Sequence, residues 1–153
     1  MTAIRLCVRR APLEGSEGPG TAVTVRLPSD VDCIEEAVAL LTYHCTAGDP
    51  GRGRLRFRLQ IVLAEAIANA ILRGNQEDSA KSVDIRAVLV SDEVRLHVTD
   101  QGPGFDPGIV PDSLGPGHLE APNGRGLFLM RHLADAIVFN PEGTSVCITL
   151  RRR

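Results

Sequence analysis

"IVLAEAIANAIL", residues 61–72, carries two polar side chains, Glu65 and Asn69, in a stretch that is otherwise apolar. A segment apolar on every side reads as a helix largely removed from water. Positions four apart stack on one helix face, and an unpaired carboxylate there is costly to bury. Two readings follow. Glu65 and Asn69 satisfy each other or nearby backbone at a helix edge, as buried polar pairs do. Alternatively, Glu65 is a general base and the Asn69 amide oxygen, one turn on, ligates a hard cation such as Mg²⁺. On the second reading Arg73, a further turn along the same face, adds positive charge near phosphates.

Upstream, Val31, Ile34, Val38, Leu41 and Cys45 recur at three-four spacing after Pro28, with Ser29 as N-cap and Asp32 three residues on. This predicts an amphipathic helix ending near "TAGDPG" (46–51), followed by a second from about Leu55 to Leu72. Period-two alternation predicts strands around Ile4, Leu6 and Val8 and around Val23, Val25 and Leu27, with residues 11–20 as a Gly/Pro loop between them. Val83, Ile85, Ala87 and Leu89, a turn at Ser91 and Asp92, then Val94, Leu96 and Val98 predict a hairpin. "GLFLMRHLADA" (126–136) reads as a helix, and "IVFNPEGTSVCITL" (137–150) as a last hairpin turning at 141–143, with Val146, Ile148 and Leu150 facing inward. The implied class is α+β: a two-layer α/β sandwich with a mixed, mostly antiparallel sheet and helices on one face.

The 153 residues are near the modal size of one domain, so residues 1–153 are expected to share one core. Apolar residues make up 43% and charged residues 24%, which excludes collagen-like and wholly disordered chains. Seventeen Lys and Arg against nineteen Asp and Glu give a net charge of −2, so no global positive field draws the chain to nucleic acid or anionic lipid. Trp is absent and Tyr occurs once, which removes stacking platforms for single strands. The closing Arg151, Arg152 and Arg153 read as a solvated basic end. Cys7, Cys33, Cys45 and Cys147 form no C-x-x-C pair and read as reduced thiols. Without a signal-peptide core or a run of roughly 18 apolar residues, a cytoplasmic protein without membrane contact is expected.

Two further segments carry chemistry. In "DQGPGF" (100–105), Asp100 follows directly on an alternating strand and precedes Gly102 and Gly104. A carboxylate at a strand end can accept from an exocyclic amine, and glycines let backbone approach a planar base; an ordinary Asp-Gly-Pro turn is the other reading. In "NGRGLFLM" (123–130), Gly124 and Gly126 precede the predicted helix, where free amides and the helix dipole can meet an anion. A tight turn entering a helix fits the same residues. Residues 101–126 hold seven of the fifteen glycines and five of the ten prolines, a long loop of the kind that is functional or disordered.

The order of these segments resembles the GHKL ATPase superfamily, the histidine-kinase-like or Bergerat-fold ATPases. "EAIANAILRGN" is similar to its N box, "DQGPGF" to its G1 box and "NGRGLFLM" to its G2 box, over about Val23 to Leu150. The resemblance implies the Bergerat ATP-binding fold, with ATP and Mg²⁺ as cofactors. It makes Glu65 the catalytic base and Asn69 the Mg²⁺ ligand. Asp100 receives the adenine amino group beside Gly102 and Gly104. Gly124, Arg125, Gly126 and Leu127 lie at the phosphates, at the end of an ATP lid over 108–123, and Thr144 supports the adenine. Arg73 stands where relatives often have His, which keeps a cation there.

Within the superfamily, the length excludes the transducer-bearing gyrase, mismatch-repair and chaperone types. The only His ahead of the N box is His44, which argues against a sensor histidine kinase with its phosphoacceptor helix pair. "GRGLFLMRHLAD" and the short lid are similar to the anti-sigma factor serine kinases. That group implies a homodimer that binds a sigma factor and phosphorylates a serine of an anti-sigma factor antagonist, by phosphoryl transfer with Glu65 as base. The alternative is a noncatalytic ATP/ADP-gated protein-binding module, switching by differential affinity. The N-terminal strand with its 11–20 loop is either an edge strand or a partner-binding arm.

Overall fold

The computed structural model describes residues 6–47, 53–106 and 122–152, except the side chains of 122–125. Six strands of the described residues form one sheet: β1 (Val8–Pro12), β2 (Thr21–Pro28), β3 (Ser82–Leu89), β4 (Glu93–Thr99), β5 (Ala136–Phe139) and β6 (Ser145–Arg151). Their spatial order is β1-β2-β3-β4-β6-β5, and every pairing among the described residues is antiparallel. Among the described residues three α-helices, α1 (Ile34–Thr46), α2 (Gly53–Asn69) and α3 (Pro122–Leu133), complete the α+β sandwich that the alternation predicts.

Register explains why one face is covered. Val25 lies opposite Ile85, Ile85 opposite Val98, and Leu96 opposite both Ala87 and Ile148. All six are buried, so the inward residues of neighbouring strands form continuous apolar rows. Onto these rows α1 sets Ala37, Leu41 and Cys45, and α2 sets Leu55, Leu59, Val62, Leu63, Ala66 and Ile67. Burial pushes the Cys45 thiol up to about 12, which keeps it protonated and unreactive at neutral pH. The intervening positions, among them Thr24, Arg86, His97 and Thr99, line a concavity of about 770 Å³ on the uncovered face.

Several local expectations change. Asp30, not Ser29, caps the turn before α1: its carboxylate accepts from the Asp32 amide at 2.8 Å. Ser29 is drawn inward instead, donating to the Lys81 carbonyl at 2.8 Å. The first strand runs from Val8 through Ala11 and Pro12, residues the alternation leaves in the loop, and Ile4 lies outside the described residues. Pro12 is tolerated because β1 is an edge strand. Within residues 11–20 the turn Gly15–Glu17 brings the Glu17 carboxylate over the uncovered face, where both oxygens lie 3.0 Å from an Arg86 nitrogen. The basic end is not a free tail: Arg151 belongs to β6, and Arg152 donates from its backbone to the Asp92 carbonyl and from its side chain to the Val90 carbonyl. Among the described residues no helix is long and apolar enough to cross a membrane.

Arg58 ties α2 to the opposite end of the chain. Its guanidinium donates to the Leu133 carbonyl at the end of α3 (2.9 Å), to the Arg151 carbonyl (2.9 Å) and to Asp135 (2.8 Å). Asp135 also accepts from the Arg151 amide at 2.7 Å. The pair is 11% and 14% exposed, so one truncated partner leaves the other poorly solvated. Arg58→Met is expected to cost about 2–3 kcal/mol, less than a fully buried pair because both groups keep some solvent. Urea unfolding checks this, as a lower midpoint at unchanged slope; an unchanged midpoint would contradict it.

Candidate nucleotide site

The α2 helix brings Glu65 and Asn69 to the same face, one turn apart, but neither is buried: both are partly exposed. The helix is therefore not enclosed on all sides, and its polar stripe escapes the desolvation cost that the composition of 61–72 implies. Among the described residues the two side chains do not bond each other. They are left presented, which favours the reading of a working pair over a self-satisfied one.

What meets this stripe is α3. A Cβ added at Gly126 would overlap the Glu65 carboxylate oxygen and come within 3.8 Å of the Asn69 amide nitrogen, so glycine lets the helices cross with the Glu65 carboxylate in this position. This revises how the Gly-rich segment acts. The helix starts at Pro122, so Gly124 and Gly126 lie inside it and do not precede it. Only the first four amides of a helix lack an internal partner. Gly126, at the fifth position, falls beyond them, and its contribution is the close approach to Glu65. Leu127 packs, half-buried, against the core. The Arg125 side chain lies outside the described residues, as does the expected lid over 108–123 apart from Pro122 and Asn123, the first two residues of α3.

Beyond Asn69 the helix widens into a π turn, Ala70–Gly74, closed by the Asn75 amide donating to the Ala70 carbonyl at 2.8 Å. Such turns recur at functional sites. The wider turn breaks the four-residue phase, so Arg73 is exposed and does not extend the Glu65–Asn69 stripe in α-helical register. It also delivers Gly74 against the Asp100 carboxylate, where a Cβ would overlap it.

Asp100 leaves β4 with its amide donating to the Thr144 carbonyl at 2.9 Å and its carboxylate accepting from the Gly102 amide at 2.8 Å. Burial raises its pKa above the ordinary 3.8, against opposing pulls from the Gly102 amide and Lys81. Gly102 nests on the Gly74 carbonyl. Gly104, at φ +78°, turns where side chains strain, and a Cβ there would strike the Glu142 carbonyl and come within 3.2 Å of the Thr144 methyl. The Thr144 hydroxyl accepts from the Asn140 amide at 3.0 Å. Asp100, Gly102, Gly104 and Thr144 thus gather at one end of the π turn, with Glu65, Asn69 and Gly126 at the other.

One residue that the motif reading does not single out joins these parts. Asn75 is fully buried. Its amide oxygen accepts from the Gln101 backbone at 2.7 Å, and its nitrogen donates to the Ser29 hydroxyl at 2.8 Å and the Ser82 carbonyl at 2.9 Å. In sequence, the Gly-Asn that closes the apolar run offers only the ordinary signal of a helix stop.

The residues fit Mg²⁺-ATP. Asn69 offers a hard oxygen of the kind Mg²⁺ takes, Asp100 an acceptor for an exocyclic amine, and Gly104 and Gly126 remove side chains where backbone must come close.

The comparisons with known proteins agree with this geometry. The model of the histidine kinase-like ATPase domain family matches residues 27–150. The serine/threonine-protein kinase BtrW of Bordetella bronchiseptica is 29% identical over 126 residues, covering 74% of this chain and 87% of that protein.

Proposed function

Because this chain belongs to the histidine kinase-like ATPase domain family, we propose that it is an Mg²⁺-ATP-dependent protein-serine kinase working as an anti-sigma factor. On this reading it is a cytoplasmic homodimer that binds a sigma factor and phosphorylates a serine of an anti-sigma factor antagonist. The observation that carries the reading is the presented Glu65 carboxylate, one turn from Asn69 and in contact with Gly126, on the helix whose other end abuts Asp100. The name of the 29% identical relative supports a serine or threonine as acceptor.

Each residue has a part in the reaction. Asp100 accepts the adenine amino group and sets the depth of the base, with Gly102, Gly104 and Thr144 shaping the wall around it. Asn69 would hold Mg²⁺, which would supply charge neutralisation on the phosphate oxygens. Gly124 and Arg125, in the first turn of α3, flank the phosphates, with Gly126 against Glu65. Glu65 takes the proton of the acceptor serine as its oxygen bonds the γ-phosphorus. The bond from that phosphorus to the bridging oxygen breaks, and ADP leaves with the electron pair. Positioning and electrostatics supply most of the acceleration in such transfers.

The test has two stages. Millimolar Mg²⁺-ATP is expected to raise the melting temperature, since a ligand bound by the native state alone must stabilise it. Proteins of the native host incubated with the chain and Mg²⁺-ATP are then searched by mass spectrometry for phosphoserine, with a small antagonist protein expected to gain it. A thermal shift with no phosphoserine gained would replace the kinase with a nucleotide-gated binding module; no thermal shift would remove the nucleotide itself.

A further inference from the structure

We propose that Asn75 is a positioning residue for base recognition, aiming Asp100 through the backbone of Gln101; this rests on the nucleotide reading above. The side-chain amide of Asn75 has one carbonyl and one NH₂ group, and both are engaged in a fully buried setting. Its two donors hold the corner after β2, at Ser29, and the first residue of β3, at Ser82. Its acceptor is spent on the peptide N–H immediately after Asp100.

Gln101 is gripped a second time, because its side-chain oxygen accepts from the Ser82 amide at 2.7 Å. Asp100 itself is anchored from the other side by the Thr144 carbonyl. The carboxylate therefore sits between two fixed peptide groups, with Gly74, the neighbour of Asn75, packed against it. A residue that only filled space could be apolar. An amide whose one acceptor meets the peptide beside the recognition carboxylate fixes direction, and removing it leaves the Gln101 N–H without its partner.

The probes are ATP and inosine triphosphate, which carries a carbonyl where adenine carries its amino group, each titrated calorimetrically with Mg²⁺. The wild type is expected to prefer ATP by about tenfold or more, the scale of one charge-assisted hydrogen bond. In Asn75→Ala, ATP affinity is expected to fall about tenfold with inosine triphosphate little changed, so the preference collapses. In the same variant the KM for ATP rises while kcat at saturating ATP stays within about twofold, because Glu65 is untouched. Ser29→Ala removes another partner of the same amide; it is expected to lower stability yet keep the preference.

An Asn75→Ala protein that melts earlier but keeps the preference would overturn the proposal and leave the nucleotide reading standing. A wild type that does not distinguish the two nucleotides would overturn the assignment of Asp100, and this inference with it. Should Asn75→Ala fail to fold, amide exchange in the free wild type decides. The Gln101 N–H is expected to be as protected as the β4 amides before any nucleotide is added, and free exchange there would refute the pre-set geometry.

Discussion

Glu65→Gln is expected to lower phosphoryl transfer to serine by about 10²–10⁴-fold, the range a positioned general base contributes. Glutamine has the shape of glutamate, so it can keep the contact with Gly126 that a larger side chain would disturb. What it lacks is the basicity of the carboxylate: the amide oxygen accepts a hydrogen bond but is too weak a base to take the serine proton. Nucleotide affinity is expected to stay within about threefold, since the base and phosphates are held by other residues. Single-turnover transfer to the phosphoacceptor, beside calorimetric ATP binding, separates the two effects. Equal transfer rates in wild type and variant would remove Glu65 from the chemistry. Control of a protein partner that persists unchanged in the variant would show that binding, not catalysis, does the switching.

Asp100→Asn is expected to move stability and function in opposite directions. Burial raises the folded-state pKa of Asp100 above the ordinary 3.8, so the ionised carboxylate is less comfortable in the folded protein than in the unfolded chain. A carboxyl with a raised folded pKa contributes stability that is fully present below the unfolded value and is lost as pH rises through the folded one. At neutral pH Asp100 is thus a cost, and the neutral amide, which can still accept from the Gly102 amide, is expected to raise the melting temperature of the free protein. Mg²⁺-ATP binding is expected to weaken by roughly ten- to hundredfold as the charged acceptor is lost.

The same shift sets a pH dependence. ATP affinity in the wild type is expected to fall on acidification at a pH above that of an ordinary aspartate, as Asp100 takes up its proton. The variant should lack that step. Melting curves with and without Mg²⁺-ATP across the acid range test both halves. A variant less stable than wild type at pH 7, or one that keeps the full ATP-induced shift, would contradict the assignment.

The candidate site was legible in the sequence where residue type recurs at a fixed spacing. Glu65 and Asn69 announce themselves as polar interruptions of an apolar helix, Asp100 as a carboxylate closing an alternating strand, and Gly102 and Gly104 as the glycines that let backbone come close. The helix start at Pro122 was not legible, because Gly124 and Gly126 are poor helix formers and local propensity argues for a turn. The helix nonetheless begins at Pro122 and places Gly126 inside it, against the Glu65 carboxylate. Ser29 was misplaced for a similar reason. Asp30 competes for the same cap, and the hydroxyl of Ser29 is needed by Asn75 from 46 residues away.

By itself the sequence determined the α+β class, the covered face of the sheet and which polar residues to propose for the site, because periods of two and of three to four and the order of three motifs are local properties of a chain. Only the tertiary structure decided that α2 opens into a π turn that takes Arg73 out of phase, that residues 11–20 fold Glu17 onto Arg86, and that a buried Asn75 spans to Gln101. Each of these depends on a partner between 26 and 69 residues distant or on which of two geometries packs better. Hydrophobic periodicity records which side of an element is buried, but it holds no information about which distant polar group will be waiting there.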